Sequence, residues 1–323
     1  MSLLEIKNLN VEYRVEGKNI KAVKDVSLDI GVQDSIGIVG ESGSGKSTLA
    51  MAILQLLPEK ITEVTGEIIF DGVDLLKISE DELRKIRWKD IAVVFQKSMN
   101  SLSPVHKIGF QMSDIYRVHK PKASDREVKE RILELFELVN LSERVFDLYP
   151  HELSGGMMQR VSIALSLIYF PRLLILDEAT TALDVVTQGQ ILDEIMKLEE
   201  KLHLTRIMIT HDVSVVSSTC KKVAVMYAGC LLESGYVRDV LTKPKHPYTE
   251  GLLNSYPSLK GARKNLRGIP GTLPDLSISH RGCIFADRCK KATEICFNQE
   301  PKMMEFDNNW NVACHLVGGV DCG

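Results

Sequence analysis

Apolar residues are spaced in two different ways along the chain, and the change of spacing divides it. In the first 80 residues, short stretches rich in Val, Ile and Leu (3–6, 11–15, 26–30, 35–39 and 66–70) lie between turn signals such as Asp71-Gly72, which predicts a β-rich start. From about residue 98 to 165, apolar residues instead recur three and four apart, as at Ile132, Leu135, Phe136 and Val139, which predicts a mostly helical insertion. Three further apolar stretches (173–176, 206–210 and 222–227) are separated by helix-like segments, the pattern of a parallel sheet with crossover helices. The main body is expected to end near residue 240. Beyond it, Pro244, Pro247, Pro257, Pro270 and Pro274 with Gly261, Gly268 and Gly271 predict an ordered, loop-rich connector.

With 323 residues, at roughly 100 to 200 per domain, the chain is long enough for two domains, or one with an extension. Apolar residues at 44% and charged residues at 26% exclude a disordered chain and a disulfide-stapled miniprotein. Forty Lys and Arg against 43 Asp and Glu leave a net charge of -3, too balanced for a chain whose affinity comes from neutralising nucleic-acid phosphates, so nucleic acid is not an expected partner. The longest apolar runs (49–54 and 223–228) are six residues, far short of the roughly 20 of a spanning helix, so membrane association is expected through a partner. The start carries Glu5 and Lys7 and lacks a signal-peptide pattern, which reads as cytoplasmic. Five of the seven cysteines fall between Cys283 and Cys322, a clustering that points to metal before disulfides in a reducing compartment.

Gly40-Glu41-Ser42-Gly43-Ser44-Gly45-Lys46-Ser47 follows the predicted strand 35–39 and opens an apolar helix over 48–57, the strand-loop-helix setting of a phosphate-binding P-loop. Its glycines turn backbone N–H groups toward phosphate oxygens, the helix N-terminus adds its positive end, Lys46 reaches the terminal phosphates and Ser47 can ligate Mg²⁺. The strand 173–176 ends in Asp177 and Glu178. Adjacent strand-end carboxylates can face different parts of one site, so Asp177 is expected to serve the metal and Glu178 to be the base that polarises the attacking water.

About 20 residues ahead of that acidic strand stands Leu153-Ser154-Gly155-Gly156-Met157-Met158-Gln159-Arg160, followed by an apolar helix. Ser154 alone reads more readily as an ordinary helix cap followed by glycines. Placed between the P-loop and Asp177-Glu178, the segment closely resembles the signature motif of ATP-binding cassette (ABC) ATPases, a resemblance that covers nearly all of residues 1–240. It implies an α/β P-loop NTPase core with an antiparallel β subdomain, a helical subdomain over about 98–165, ATP as substrate and Mg²⁺ as cofactor. By resemblance, Tyr13 stacks on adenine, and Gly40, Ser42, Gly43, Ser44, Gly45, Lys46, Ser47 and Thr48 bind ATP. Gln96 joins Ser47 and Asp177 around Mg²⁺ and couples to the transmembrane partner, and His211 contacts the γ-phosphate. Ser154, Gly155, Gly156 and Asp184, the last from Ala182-Leu183-Asp184, are implied to serve ATP held by a second cassette. The family usually has Gln at the position of Met157, which puts one side-chain contact across that interface in question.

Cys283, Cys289, Cys296 and Cys314 offer four thiols, and their spacing leaves a 4Fe-4S cluster, a zinc site and reduced thiols all open. The segments His246-Pro247-Tyr248-Thr249, Ile269-Pro270-Gly271 with Pro274, Gly282-Cys283-Ile284-Phe285 and Arg288-Cys289 resemble the C-terminal region of oligopeptide and dipeptide importer ATPases, members of which can carry a 4Fe-4S cluster there. This implies a small metal-binding extension over 241–323, its cluster a structural staple. It also implies a peripheral subunit on the cytoplasmic face of the membrane, energising peptide import through two permease subunits. A second ABC ATPase completes the assembly, a distinct partner being favoured over a homodimer, with a peptide-binding protein outside. Import of nickel or another solute, and a soluble ABC ATPase outside transport, are the alternative functions.

Overall fold

A computed structural model describes residues 1–95, 102–181, 183–255 and 268–317. Gln96, Ala182 and Cys322 lie outside the described residues. The chain forms two compact units: residues 1–30, 35–76 and 209–323 make the first, and residues 31–34 with 77–208 the second.

In the first unit a four-stranded sheet has the order Lys18–Gly31, Ser2–Val15, Thr62–Phe70, Val73–Asp74. The predicted short stretches 3–6 and 11–15 are one continuous strand, because a bulge absorbs the polar interruption between them. The register against Thr62–Phe70 shifts between Lys7 and Asn10. At that point Asn8 takes φ 48°, its side chain donates to Asp25 Oδ1 at 2.8 Å and Asn10 Oδ1 accepts the Asp25 N–H at 3.0 Å. The extra residue restores alternation beyond the bulge, so that Leu4, Ile6, Leu9 and Val11 are all buried.

The same unit holds Ser35–Val39 parallel to Lys222–Tyr227, which pairs antiparallel with Cys230–Tyr236. All five residues of Ser35–Val39 are buried, as a strand covered on both faces requires. The helix Val213–Thr219 lies against it so closely that a Cβ on Gly37 would come within 2.3 Å of Val216.

Beyond the expected connector, the C-terminal extension adds two short strands. Trp310–Val312 pairs antiparallel with Cys230–Tyr236 and in turn with Met304–Phe306, so the tail lengthens this sheet. It also contributes Phe285 to the core containing Val39, Val216, Val225, Tyr227 and Tyr248. The Phe285 ring lies 5.3 Å from both Tyr227 and Tyr248, and those two are 4.7 Å apart, the spacing of favourable tilted aromatic packing.

In the second unit, Ile91–Val94 pairs parallel with Leu173–Asp177, and Thr205–Ile209 is next in order. The helical segment contains Ile108–His119, Asp125–Leu138 and Gly155–Ser166. Asp125–Leu138 starts where Ser124 Oγ accepts the Glu127 N–H and buries Val128, Ile132, Leu135 and Phe136, the face its periodicity predicts.

Candidate active site

The phosphate loop joins Ser35–Val39 to the helix Lys46–Ile53, whose N-cap is Gly45 with no side-chain cap. The helix is two residues earlier at its start and shorter at its end than 48–57. Gln55 takes φ 52° just past the end, a conformation that terminates a helix. The positive end of a helix N-terminus without a side-chain cap suits an anion. Two glycines are dictated sterically: a Cβ on Gly40 would fall 2.0 Å from Met226 O, and one on Gly45, at φ 94°, would fall 2.2 Å from Ala22 O. Lys46 is buried, and its Nζ donates to Gly40 O at 2.8 Å, Glu41 O at 2.9 Å and Ser44 Oγ at 3.4 Å. These bonds hold the ammonium within the loop, where a phosphate can exchange for a carbonyl partner. Ser42, Gly43 and Ser47 are exposed and Thr48 is half-buried, so the loop's rim is open.

Two further candidates lie in the same unit. Tyr13 is half-buried on Ser2–Val15, paired with Thr62. His211 is exposed and follows Thr210, whose N–H donates to Ile38 O at 3.2 Å. That bond sets the histidine beside the strand that feeds the phosphate loop. Asp212 then caps Val213–Thr219 by accepting the Ser214 N–H.

In the second unit Asp177 is buried at the strand end and Glu178 is half-buried immediately after it. Glu178 takes φ 49°, an unfavourable conformation for a side chain of its kind, and its carbonyl accepts both the Thr181 N–H and the Thr181 hydroxyl. This turn closes the chain directly after the strand that ends in Asp177. A carboxylate such as that of Asp177 is an oxygen donor of the kind Mg²⁺ takes.

Ser154 is the N-cap of Gly155–Ser166, its Oγ accepting the Met157 N–H at 3.3 Å. The capping role and an anion-facing role coexist, since Ser154 and Gly155 are exposed at a helix N-terminus. Asp184 caps the next long helix, Val185–Leu202. Its carboxyl is held below the usual range by hydrogen bonds from Thr187 and Val186. A Cβ on Gly156 would come within 2.8 Å of Thr187, so the signature segment and the Asp184 helix are brought together.

The four clustered thiols share one neighbourhood. Burial is the main cause that pushes Cys283 up to about 11, with further raising by Cys296, Cys314 and Cys289. Burial likewise raises Cys289 and Cys314. Backbone groups of Phe285, Lys291 and Leu316 hydrogen-bond to Cys283, Cys289 and Cys314 in the sense that favours thiolate. Cysteine sulfur is a donor type that metal groups take as thiolate, but the net effect here holds Cys283, Cys289 and Cys314 above the ordinary thiol range. The ready-made metal-binding arrangement expected from the sequence is absent: among the described residues, no three His, Cys, Asp or Glu side chains stand together at metal-holding spacing.

The sequence reading missed three contributors to the phosphate loop. Arg288 pairs with the Glu41 carboxylate, and Tyr248 accepts the Glu41 N–H. Tyr227 joins Arg288 at 3.1 Å. The only signals in the sequence were the acidic residue inside the P-loop and the Arg288-Cys289 and His246-Pro247-Tyr248 segments, far apart along the chain.

Residues 23–181 match the family described as ABC transporter, and residues 232–296 match the oligopeptide/dipeptide transporter C-terminal region. The chain is 42% identical over 319 residues to the oligopeptide transport ATP-binding protein OppD of Bacillus subtilis, covering 98% of this chain and 89% of that one. It is 41% identical over 315 residues to the dipeptide transport ATP-binding protein DppD of Caldanaerobacter subterraneus, covering 97% of each. A solved dimeric ATP-binding cassette in a post-hydrolysis state, bound to ADP and Pi, is similar with a TM-score of 0.65 at 31% identity, over 73% of this chain and 99% of that one. The α/β cassette and its phosphate loop thus define an ATP-hydrolysing protein, and the chain belongs to the ABC transporter family. Within that family its C-terminal region is that of the oligopeptide/dipeptide transporters.

Proposed function

We propose that this chain is the ATP-hydrolysing subunit that energises import of dipeptides and oligopeptides through two permease subunits of the cytoplasmic membrane. The observation that carries this reading is the union in one chain of an ABC cassette and the oligopeptide/dipeptide C-terminal region. Among the described residues, no helix is long and apolar enough to cross a membrane, so attachment at the cytoplasmic face falls to the permeases. Residues 1–240 serve as the nucleotide-binding domain and 241–323 as the extension, with peptide delivered from outside by a binding protein. The helical segment 98–165 is the docking element, a role supported by the exposed apolar side chains Val105, Phe110 and Val118.

In this mechanism Lys46 and the N–H groups of the loop bind the phosphates, Tyr13 stacks on adenine, and Ser47, Asp177 and Gln96 hold Mg²⁺, which supplies charge neutralisation when bound. Glu178 takes a proton from the attacking water and His211 contacts the γ-phosphate. Ser154, Gly155, Gly156 and Asp184 act on ATP held by a second, related ABC ATPase. Exposure of Val185 and Val186, at 85% and 71% beside Asp184, supports an apolar contact there. Cys283, Cys289, Cys296 and Cys314 hold a 4Fe-4S cluster that staples the extension, zinc being the other thiolate-ligated choice.

Uptake of labelled di- and tripeptides into vesicles holding the co-purified assembly tests the reading. ATP-dependent peptide uptake is expected. Uptake of nickel but not peptide, or failure of the chain to co-purify with any integral membrane protein, overturns it.

A further inference from the structure

The phosphate loop contains a carboxylate. Glu41 directly follows Gly40, and a negative side chain there opposes binding of a polyphosphate. The chain neutralises it from 247 residues away: Arg288 Nη1 donates to Glu41 Oε2 at 2.9 Å and Nη2 to Oε1 at 3.1 Å. This is the bidentate fork that only a guanidinium supplies. Arg288 directs its remaining bonds to Pro270 O at 2.8 Å, Tyr227 Oη at 3.1 Å and Ile269 O at 3.1 Å. All its donors are thereby engaged, and its side chain is only 7% exposed. An arginine so completely bonded has one orientation.

The same residue reaches the loop's machinery through its partner. Glu41 O accepts from Lys46 Nζ, while the Glu41 N–H goes to Tyr248 Oη at 3.0 Å. Arg288 also fixes the carbonyls of Ile269 and Pro270, just ahead of Leu273, whose Cδ1 lies 3.3 Å from where a Cβ on Gly43 would be. One side chain of the extension therefore holds both the loop's acidic residue and the segment beside its tip.

We propose that Arg288 is a positioning residue for ATP, cancelling the charge of Glu41 so that the phosphate loop accepts a polyphosphate. Affinity for ATP then depends on the C-terminal extension through this pair, independently of what the complete transporter carries.

The experiment measures binding of ATP, ADP and AMP to the full chain with Arg288→Ala, Arg288→Lys, Glu41→Gln and the double variant Arg288→Ala/Glu41→Gln. Circular dichroism is recorded on each. Arg288→Ala is expected to weaken ATP roughly tenfold, with a smaller penalty for ADP and the smallest for AMP. Arg288→Lys falls between it and the parent, and adding Glu41→Gln to Arg288→Ala recovers most of the ATP affinity. Equal penalties for the three nucleotides, or no recovery in the double variant, overturn the proposal and leave Arg288 a packing residue. Should Arg288→Ala fail to fold, Glu41→Gln alone decides: ATP binding at least as tight as the parent supports it, because an unpaired cation then faces the loop, and weaker binding overturns it.

Discussion

The phenol of Tyr248 accepts the backbone N–H of Glu41 at 3.0 Å, tying the helix Pro247–Asn254 to the phosphate loop. Tyr248 is fully buried against Tyr227 and Phe285. Burial raises its phenol well above the ordinary range, so it remains neutral wherever the protein is folded. A nucleotide loop that would otherwise rest on its own strand and helix is thus braced by aromatic side chains assembled from remote parts of the chain.

Tyr248→Phe keeps the ring packing and removes the acceptor. An N–H left without that partner costs about 1–3 kcal/mol. The expected result is a lower urea midpoint with an unchanged slope, together with weaker ATP binding. An unchanged midpoint shows that water replaces the phenol without loss.

Glu178→Gln preserves shape and removes the base. ATP binding is expected to persist while hydrolysis falls roughly 10²- to 10⁴-fold, read as single-turnover phosphate release in the assembled complex. Release at the parental rate transfers the role to another group. Because Glu178 sits at φ 49°, Glu178→Gly provides a contrast: it relieves backbone strain and raises stability while hydrolysis is lost.

What the sequence made legible was local. Lys222–Tyr227 spans the predicted residues without change, since an uninterrupted apolar run reads directly as a buried strand. The helix face of Ile132, Leu135 and Phe136 was equally visible. Asn8 and Asn10 hid a continuous strand because a bulge, unlike a turn, leaves little compositional trace. Met304–Phe306 and Trp310–Val312 are three residues each, too short for periodicity, and their strand status comes from pairing with Cys230–Tyr236. Arg288 and Glu41 could not be joined from spacing, because an ion pair between distant segments is a property of the fold.

His246 makes stability depend on pH. Its Nδ1 accepts the Tyr248 N–H at 3.0 Å at the helix N-terminus, and burial pushes its pKa down from 6.5 to about 3. Above pH 6.5 the ring is neutral in both folded and unfolded chains, and its contribution is fully present. As pH falls below 6.5 the unfolded chain takes up a proton that the folded chain refuses, so stability declines by roughly 2 kcal/mol at pH 5 and continues down toward pH 3. Urea unfolding at pH 7 and pH 5 checks this against His246→Gln. The variant is expected to be less stable at pH 7 and to lose less between the two pH values; equal losses assign the acid sensitivity elsewhere.

The thiols of the extension pose the inverse problem. Burial and the neighbouring cysteines push Cys283 up to about 11, and burial raises Cys289 and Cys314 as well. A bound cation favours the thiolates and releases their protons. The closure this gives should be felt where the tail has little core of its own, in the paired Met304–Phe306 and Trp310–Val312. Anaerobically purified protein is expected to contain iron and acid-labile sulfide in near-equal amounts, both lost when Cys283, Cys289, Cys296 and Cys314 are replaced by Ser. Amide exchange over residues 304–312 should then quicken, while exchange in the strand Ser35–Val39 stays slow because its cover comes from Val216 and Val225. Zinc without sulfide reassigns the metal and keeps the staple; no metal in the parent, with unchanged exchange in the variant, removes both.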